Sequence, residues 1–226
     1  MLAEHSATVA HQFDDAEQQH EASTLGMWAF LATEIMFFGG LFAGYTIYRG
    51  MYLPAFEAGS RMLDIRLGAF NTAVLIGSSL TMALAVHAAQ TNQRKALPLY
   101  LALTMILGTL FLGVKAFEYA HKFEHALVPG IHFTPEGEDL ALIQRFHAAI
   151  PNVELFYCFY FLMTGMHALH MIIGLGLMTF YLFQSLRGTY SSAYYSPVEV
   201  GGLYWHFVDI VWIFLFPLLY LIGGRT

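Results

Sequence analysis

Charge is what this chain has least of. Only 12% of its 226 residues are Asp, Glu, Lys or Arg, while 57% are hydrophobic, against roughly a quarter charged in an ordinary soluble domain. That shortage excludes a soluble surface and points to lipid. Positive charge is scarcer still, with 10 Lys and Arg against 16 Asp and Glu, which removes the basic footprint of a nucleic-acid binder. One cysteine excludes an internal disulfide framework and any CxxC pair. No Lys or Arg precedes Arg49, so the N-terminus lacks the positive region of a cleaved signal peptide. Residues 1–24, with Glu4, His5, His11, Asp14, Asp15, Glu17, His20 and Glu21, read as a polar, solvated cytoplasmic tail.

What the chain does have is long apolar runs. Five are each long enough to cross a hydrocarbon layer that takes about 20 helical residues: about 25–48, 67–89, 96–119, 155–186 and 202–222. A run such as Met171 to Phe183 does not alternate apolar with polar, which excludes β-barrel strands. The expected fold is all-α, a polytopic membrane protein whose residues 25–226 form a bundle of five transmembrane helices. The fourth run is too long to stand upright and should tilt or project. Connections are short except from Ala120 to Glu154, where Pro129, Gly130, Pro135, Gly137 and Pro151 interrupt any helix. An odd helix count puts the termini on opposite sides. Counting Lys and Arg at the helix ends would by itself place the N-terminus outside, through Arg49, Arg61, Arg66, Lys122, Arg145 and Arg225 against Arg94, Lys95 and Arg187, but the count includes the long Ala120–Glu154 connection and does not decide the orientation.

Ionisable residues at membrane depth are costly and therefore informative. Glu34 lies among Phe30, Leu31, Phe37 and Phe38. It reads either as a proton-relay or interface carboxylate or as a protonated acid bonded between helices. His167 and His170, at i and i+3 with Gly165 and Gly174 nearby, suggest a haem or copper ligand pair, although buried histidines bonded to neighbouring helices are the commoner arrangement. Trp205, Asp209 and Trp212 share a stripe with His206 one turn from Asp209, so acid and imidazole can pair or bridge to another helix. Gly40 and Gly44 form a small-xxx-small face. His121-Lys-Phe-Glu-His125 matches an inverted zinc-peptidase pattern, but it ends an apolar run without the soluble catalytic domain that chemistry uses.

These stretches together resemble subunit III of the haem–copper oxidases, most closely the cytochrome c oxidase type in its five-helix bacterial form. The resemblance rests on Phe30-Leu-Ala-Thr-Glu-Ile-Met-Phe-Phe38 around Trp28, Asn71-Thr-Ala-Val-Leu-Ile-Gly-Ser-Ser79, Lys115-Ala-Phe-Glu-Tyr119, Thr164 to Gly174 and Tyr204 to Trp212. It implies an accessory subunit with no catalytic residue, no metal ligand and no redox centre of its own, the haem and copper being held by subunits I and II. Glu34, Asn71, Glu118, His167, His170, His206 and Asp209 then become buried polar residues, and Gly40, Gly44, Gly165, Gly174, Trp28, Trp205 and Trp212 packing residues. It further implies structural phospholipid, direct contact with subunit I near a proton-uptake entrance, and subunit II and a small helical subunit in one complex. The location implied is a bacterial inner (plasma) membrane, N-terminus cytoplasmic and C-terminus periplasmic, and no nucleic acid is a partner. The polar tail before Leu25 replaces two helices of the mitochondrial form, so helices of another subunit are expected in their place. The alternatives are subunit III of a quinol oxidase, a homologue associated with nitric oxide reductase, or, from another class, an independent haem-binding membrane cytochrome.

Overall fold

The computed structural model describes residues 12–130, 133–192 and 194–221; Glu4, His5, His11, Arg225 and the last residue of the expected fifth helix lie outside them. Among the described residues, five helices are long and apolar enough to cross a membrane: α1 (Ala16–Met51), α3 (Ile65–Gln90), α4 (Ala96–Glu124), α6 (Ile150–Leu186) and α7 (Ser196–Phe216), the last continued by a π-helical turn, Pro217–Leu221. Two short helices, α2 (Leu53–Arg61) and α5 (Gly137–Arg145), occupy connections. Among the described residues there is no β-strand, only an isolated bridge between Ser191 and Tyr194.

Helix ends differ from the hydropathy boundaries because capping, not polarity, sets them. The Asp15 side chain accepts from the Gln18 N–H at 2.7 Å and starts α1 at Ala16, well before Leu25. The polar tail expected to residue 24 is thus helical from residue 16 on. His20 binds Ser196 Oγ at 3.1 Å and approaches Glu199 at 3.7 Å, docking this extension on the start of α7. Asp64 caps α3 by accepting from Arg66 N at 2.8 Å. Pro151 sits in the first turn of α6, where its missing N–H costs nothing, so this helix starts at Ile150, earlier than residue 155. At 37 residues it is about 55 Å long, far beyond a hydrocarbon core of about 30 Å.

Helices α3, α4, α5 and α6 all end in one way. Asn92, Ala126, His147 and Gly188 each take a left-handed conformation, with φ of 57°, 50°, 49° and 73°. At each end the next two N–H groups return to carbonyls of the last turn, as when Gly188 N reaches Ser185 O at 3.0 Å and Thr189 N reaches Gln184 O at 3.1 Å, a Schellman closure.

Helix α7 is the centre of the bundle, packed against α1, α3 and α6, while α3 lies along α4 and α4 along α6. Its Trp205, Val208, Trp212 and Leu215 are fully or almost fully buried. Helix α1, covered on one side only, leaves Ile35, Met36 and Ile47 exposed. The π-helical turn follows from Pro217, which cannot donate within a helix, and Tyr45 of α1 donates to the Leu218 carbonyl at 2.9 Å.

Candidate functional site

The ionisable residues singled out in the sequence lie in three groups within the spans. The first is a closed network on α4. Lys115 Nζ donates to Glu118 Oε2 at 2.9 Å, Tyr160 Oη at 3.1 Å and Tyr220 Oη at 3.0 Å. Glu118 Oε1 accepts from Tyr160 at 2.9 Å and from Tyr220 at 2.6 Å. All three ammonium protons and both carboxylate oxygens are used, and the Trp212 ring lies 5.2 Å from the cation. Lys115 and Glu118 are each only 4% exposed, and a buried ion pair persists only when its hydrogen bonds are completed in this way. Because Tyr160 belongs to α6 and Tyr220 to the π-helical turn, the network ties three elements together.

The second place joins α1 to α6. His170 Nδ1 lies 2.8 Å from the Met166 carbonyl and Nε2 lies 3.1 Å from Glu34 Oε2, while Tyr204 of α7 donates to the His170 carbonyl at 2.9 Å. Glu34 and His170 open onto a cavity of about 440 Å³ walled by Phe30, Phe37, Leu169 and Ile173. His167, one turn earlier, points elsewhere. Its Nε2 meets the Val208 carbonyl of α7 at 3.1 Å, its Nδ1 has no partner among the described residues, and its ring stands between Phe111 and Trp212. The two histidines therefore do not converge on one ligand; they bond α7 and α1 separately.

The third place lies between α3 and α7. His206 Nδ1 is 2.7 Å from Ser79 Oγ. Asp209 is 3% exposed, and the Ser79 hydroxyl lies beside its carboxylate. Of the two arrangements open to this pair, His206 bridges to α3 and does not bond Asp209. Asn71 donates to the Phe111 carbonyl at 3.5 Å, and its own carbonyl oxygen has no partner among the described residues.

Among the packing residues the structure separates those that touch from those that do not. Trp205 is wedged between glycines: an added Cβ at Gly108 would lie 2.8 Å from its ring and one at Gly174 2.9 Å, and its Nε1 donates to Ser78 Oγ at 3.0 Å. Trp212 Nε1 donates to Thr72 Oγ1 at 3.1 Å. Gly44 faces Phe159 at 3.5 Å, and Gly165 meets only the Tyr119 hydroxyl at 3.8 Å. Gly40 faces open space, and Trp28, 56% exposed, lines the groove between α1 and α7. The sequence reading missed Tyr160, Tyr220, Ser79 and Gly108. No periodicity relates Lys115 to Tyr220, although the Lys115–Glu118 spacing of i, i+3 already marks an ion pair on one face.

The peptidase-like run places His121 and His125 with ring centroids 4.2 Å apart, and His125 Nδ1 pairs with Asp139 at 3.4 Å. Among the described residues, no group of three or more His, Cys, Asp or Glu is placed to hold a metal ion.

The family model for cytochrome c oxidase subunit III matches residues 5–126 and 147–224, leaving out the connection that carries α5. The chain is 30% identical over 210 residues to cytochrome c oxidase subunit 3 of Thermostichus vulcanus, covering 92% of each. It is 35% identical over 199 residues to cytochrome c oxidase subunit 3 of Synechocystis sp., covering 87% of this chain and 74% of that one. With quinol oxidase subunit 3 of Bacillus subtilis it shares 28% identity over 222 residues, covering 94% and 96%.

Proposed function

This chain belongs to the cytochrome c oxidase subunit III family, and from that premise we propose that it braces the oxygen-reducing subunit of its complex from within the membrane. As an accessory subunit III of a haem–copper oxidase it performs no redox step itself. The observation that carries the bracing role is the closed Lys115–Glu118–Tyr160–Tyr220 network, which locks α4, α6 and the end of α7 into one rigid unit. Such a unit presents a fixed outer surface to a neighbour.

The finer reading is direct contact with subunit I, with subunit II and a small helical subunit in the same complex, in a bacterial inner membrane with the N-terminus cytoplasmic. Structural phospholipid, or helices of another subunit, would cover the uncovered side of α1. Glu34 supports packing more than proton conduction: its hydrogen-bonding neighbour among the described residues, His170 of α6, is in turn held by the Met166 carbonyl. Relatives named for cytochrome c and for quinol oxidases match over similar lengths, which supports placing the electron-donor site on another subunit.

The test is mild-detergent extraction from the native membrane, followed by identification of copurifying polypeptides and the spectrum of the isolated chain. Haem- and copper-bearing subunits should accompany this chain, and removing it should shorten the working life of the oxidase more than its initial rate. A stoichiometric Soret band on the isolated chain would establish the independent cytochrome instead.

A further inference from the structure

Helix α7 presents one edge outward between α1 and α3, with a groove on each side of it. The α1/α7 groove, about 490 Å³, is walled by apolar side chains such as Ile35, Phe38 and Phe214. The α3/α7 groove, about 360 Å³, is walled by Leu80, Ile213 and their neighbours. His206 lines both grooves, and Asp209 lines the second. Ser79 occupies His206 Nδ1, so Nε2 is left without a partner among the described residues, and one turn further on Asp209 lines the same groove beside the Ser79 hydroxyl.

The depth of these groups restricts what can meet them. His206 comes ten residues after Ser196 and fifteen before Leu221, so it lies about 15 Å from one end of the span and about 22 Å from the other. Lipid headgroups stay outside the hydrocarbon core, and acyl chains offer no hydrogen bond. An imidazole nitrogen facing hydrocarbon is unfavourable unless protein satisfies it. A transmembrane helix fits the apolar walls, as amphipathic helices fit grooves in soluble proteins.

We infer that the α1/α7/α3 face is the docking surface for a transmembrane helix of another polypeptide, which presents a hydrogen-bonding side chain to His206 at mid-membrane depth. The inference rests on reading this chain as a subunit of an oxidase complex. It goes further by naming the face and the residue at its centre.

A photo-crosslinking amino acid placed at Ile210 or Ile213, and for comparison at Phe180 of α6 and Phe117 of α4, tests it in the native membrane. All four side chains are exposed, but only the first two line the grooves. Ile210 and Ile213 should each capture a transmembrane segment of one and the same polypeptide, identified by mass spectrometry, and Phe180 and Phe117 should not. His206→Leu should lower that capture about tenfold, the scale of one membrane hydrogen bond, and His206→Gln should retain it. Capture of acyl chains only, capture of a second copy of this chain, or equal capture of the same polypeptide from all four positions would overturn the inference, whatever His206→Leu does to folding. If the captured polypeptide is no oxidase subunit, the docking face stands and the functional reading fails. If oxidase subunits copurify while the face captures only lipid, the reverse holds.

Discussion

Glu34 and His170 hold one proton between them. The Met166 carbonyl can only accept, so His170 Nδ1 must carry a hydrogen. A neutral ring then has a bare Nε2, and its 3.1 Å contact with Glu34 Oε2 requires a hydrogen from one side or the other. Whether that gives imidazolium with carboxylate or imidazole with carboxylic acid, the pair is neutral as a whole and suits a membrane interior.

A glutamine at position 34 preserves this bond, because its amide N–H donates to the bare Nε2. Glu34→Gln should therefore leave the complex assembled and initial oxygen reduction almost intact, with the change confined to long-term turnover. Glu34→Ala strands Nε2 and should destabilise the chain by about 1–3 kcal/mol, read from thermal unfolding in detergent. Immediate loss of proton pumping by an intact Glu34→Gln complex would show that Glu34 conducts protons.

The Lys115 network should behave as a unit. Lys115→Met alone leaves Glu118 buried without its cation and should cost about 3–5 kcal/mol, and Glu118→Leu alone should cost a similar amount. The double variant should recover most of the loss, since two apolar side chains need no pairing. A double-mutant cycle on thermal stability measures the coupling, and additive losses would mean that the two groups act independently.

Glycine substitutions should divide by what faces them. Gly174→Ala and Gly108→Ala push into the Trp205 ring and should each cost about 1–3 kcal/mol. Gly40→Ala meets open space and should be neutral or stabilising by up to about 1 kcal/mol within the isolated chain. If Gly40→Ala instead weakens copurification of other subunits, Gly40 is a packing residue between chains. Tryptophan fluorescence and thermal melts of the three variants separate these outcomes.

At the end of α4, Ala126 has φ of 50°, a left-handed conformation that costs a residue with a Cβ about 1–2 kcal/mol. Ala126→Gly should raise thermal stability by about 1 kcal/mol without altering the loop. A lower melting temperature would mean that the alanine methyl is held by contacts that outweigh this strain.

How much could be read in advance depended on the range of the interactions. The five spans were legible because a long apolar run reports on lipid without reference to any other residue. Their ends were not, since Asp15 and the Schellman closures act through single hydrogen bonds that hydropathy averages away. Lys115 and Glu118 were legible as neighbours on one helix face, whereas Tyr160 and Tyr220 were not, being 45 and 105 residues from Lys115. His167 and His170, a convincing pair by spacing, part company because three residues of helix turn the chain by about 300°. That leaves about 60° between them, enough for one ring to reach α7 and the other α1.

Composition and the placement of a few charges thus determined by themselves that the chain is a five-span helical membrane protein, and its motifs pointed to the subunit III family, because lipid sets a demand that every residue meets locally. Only the tertiary structure decided which polar groups satisfy one another and which, like His206 Nε2, are left facing a groove. Hydrogen bonds join atoms about 3 Å apart in space, and the chain's own order does not specify which distant residues its packing brings within that reach.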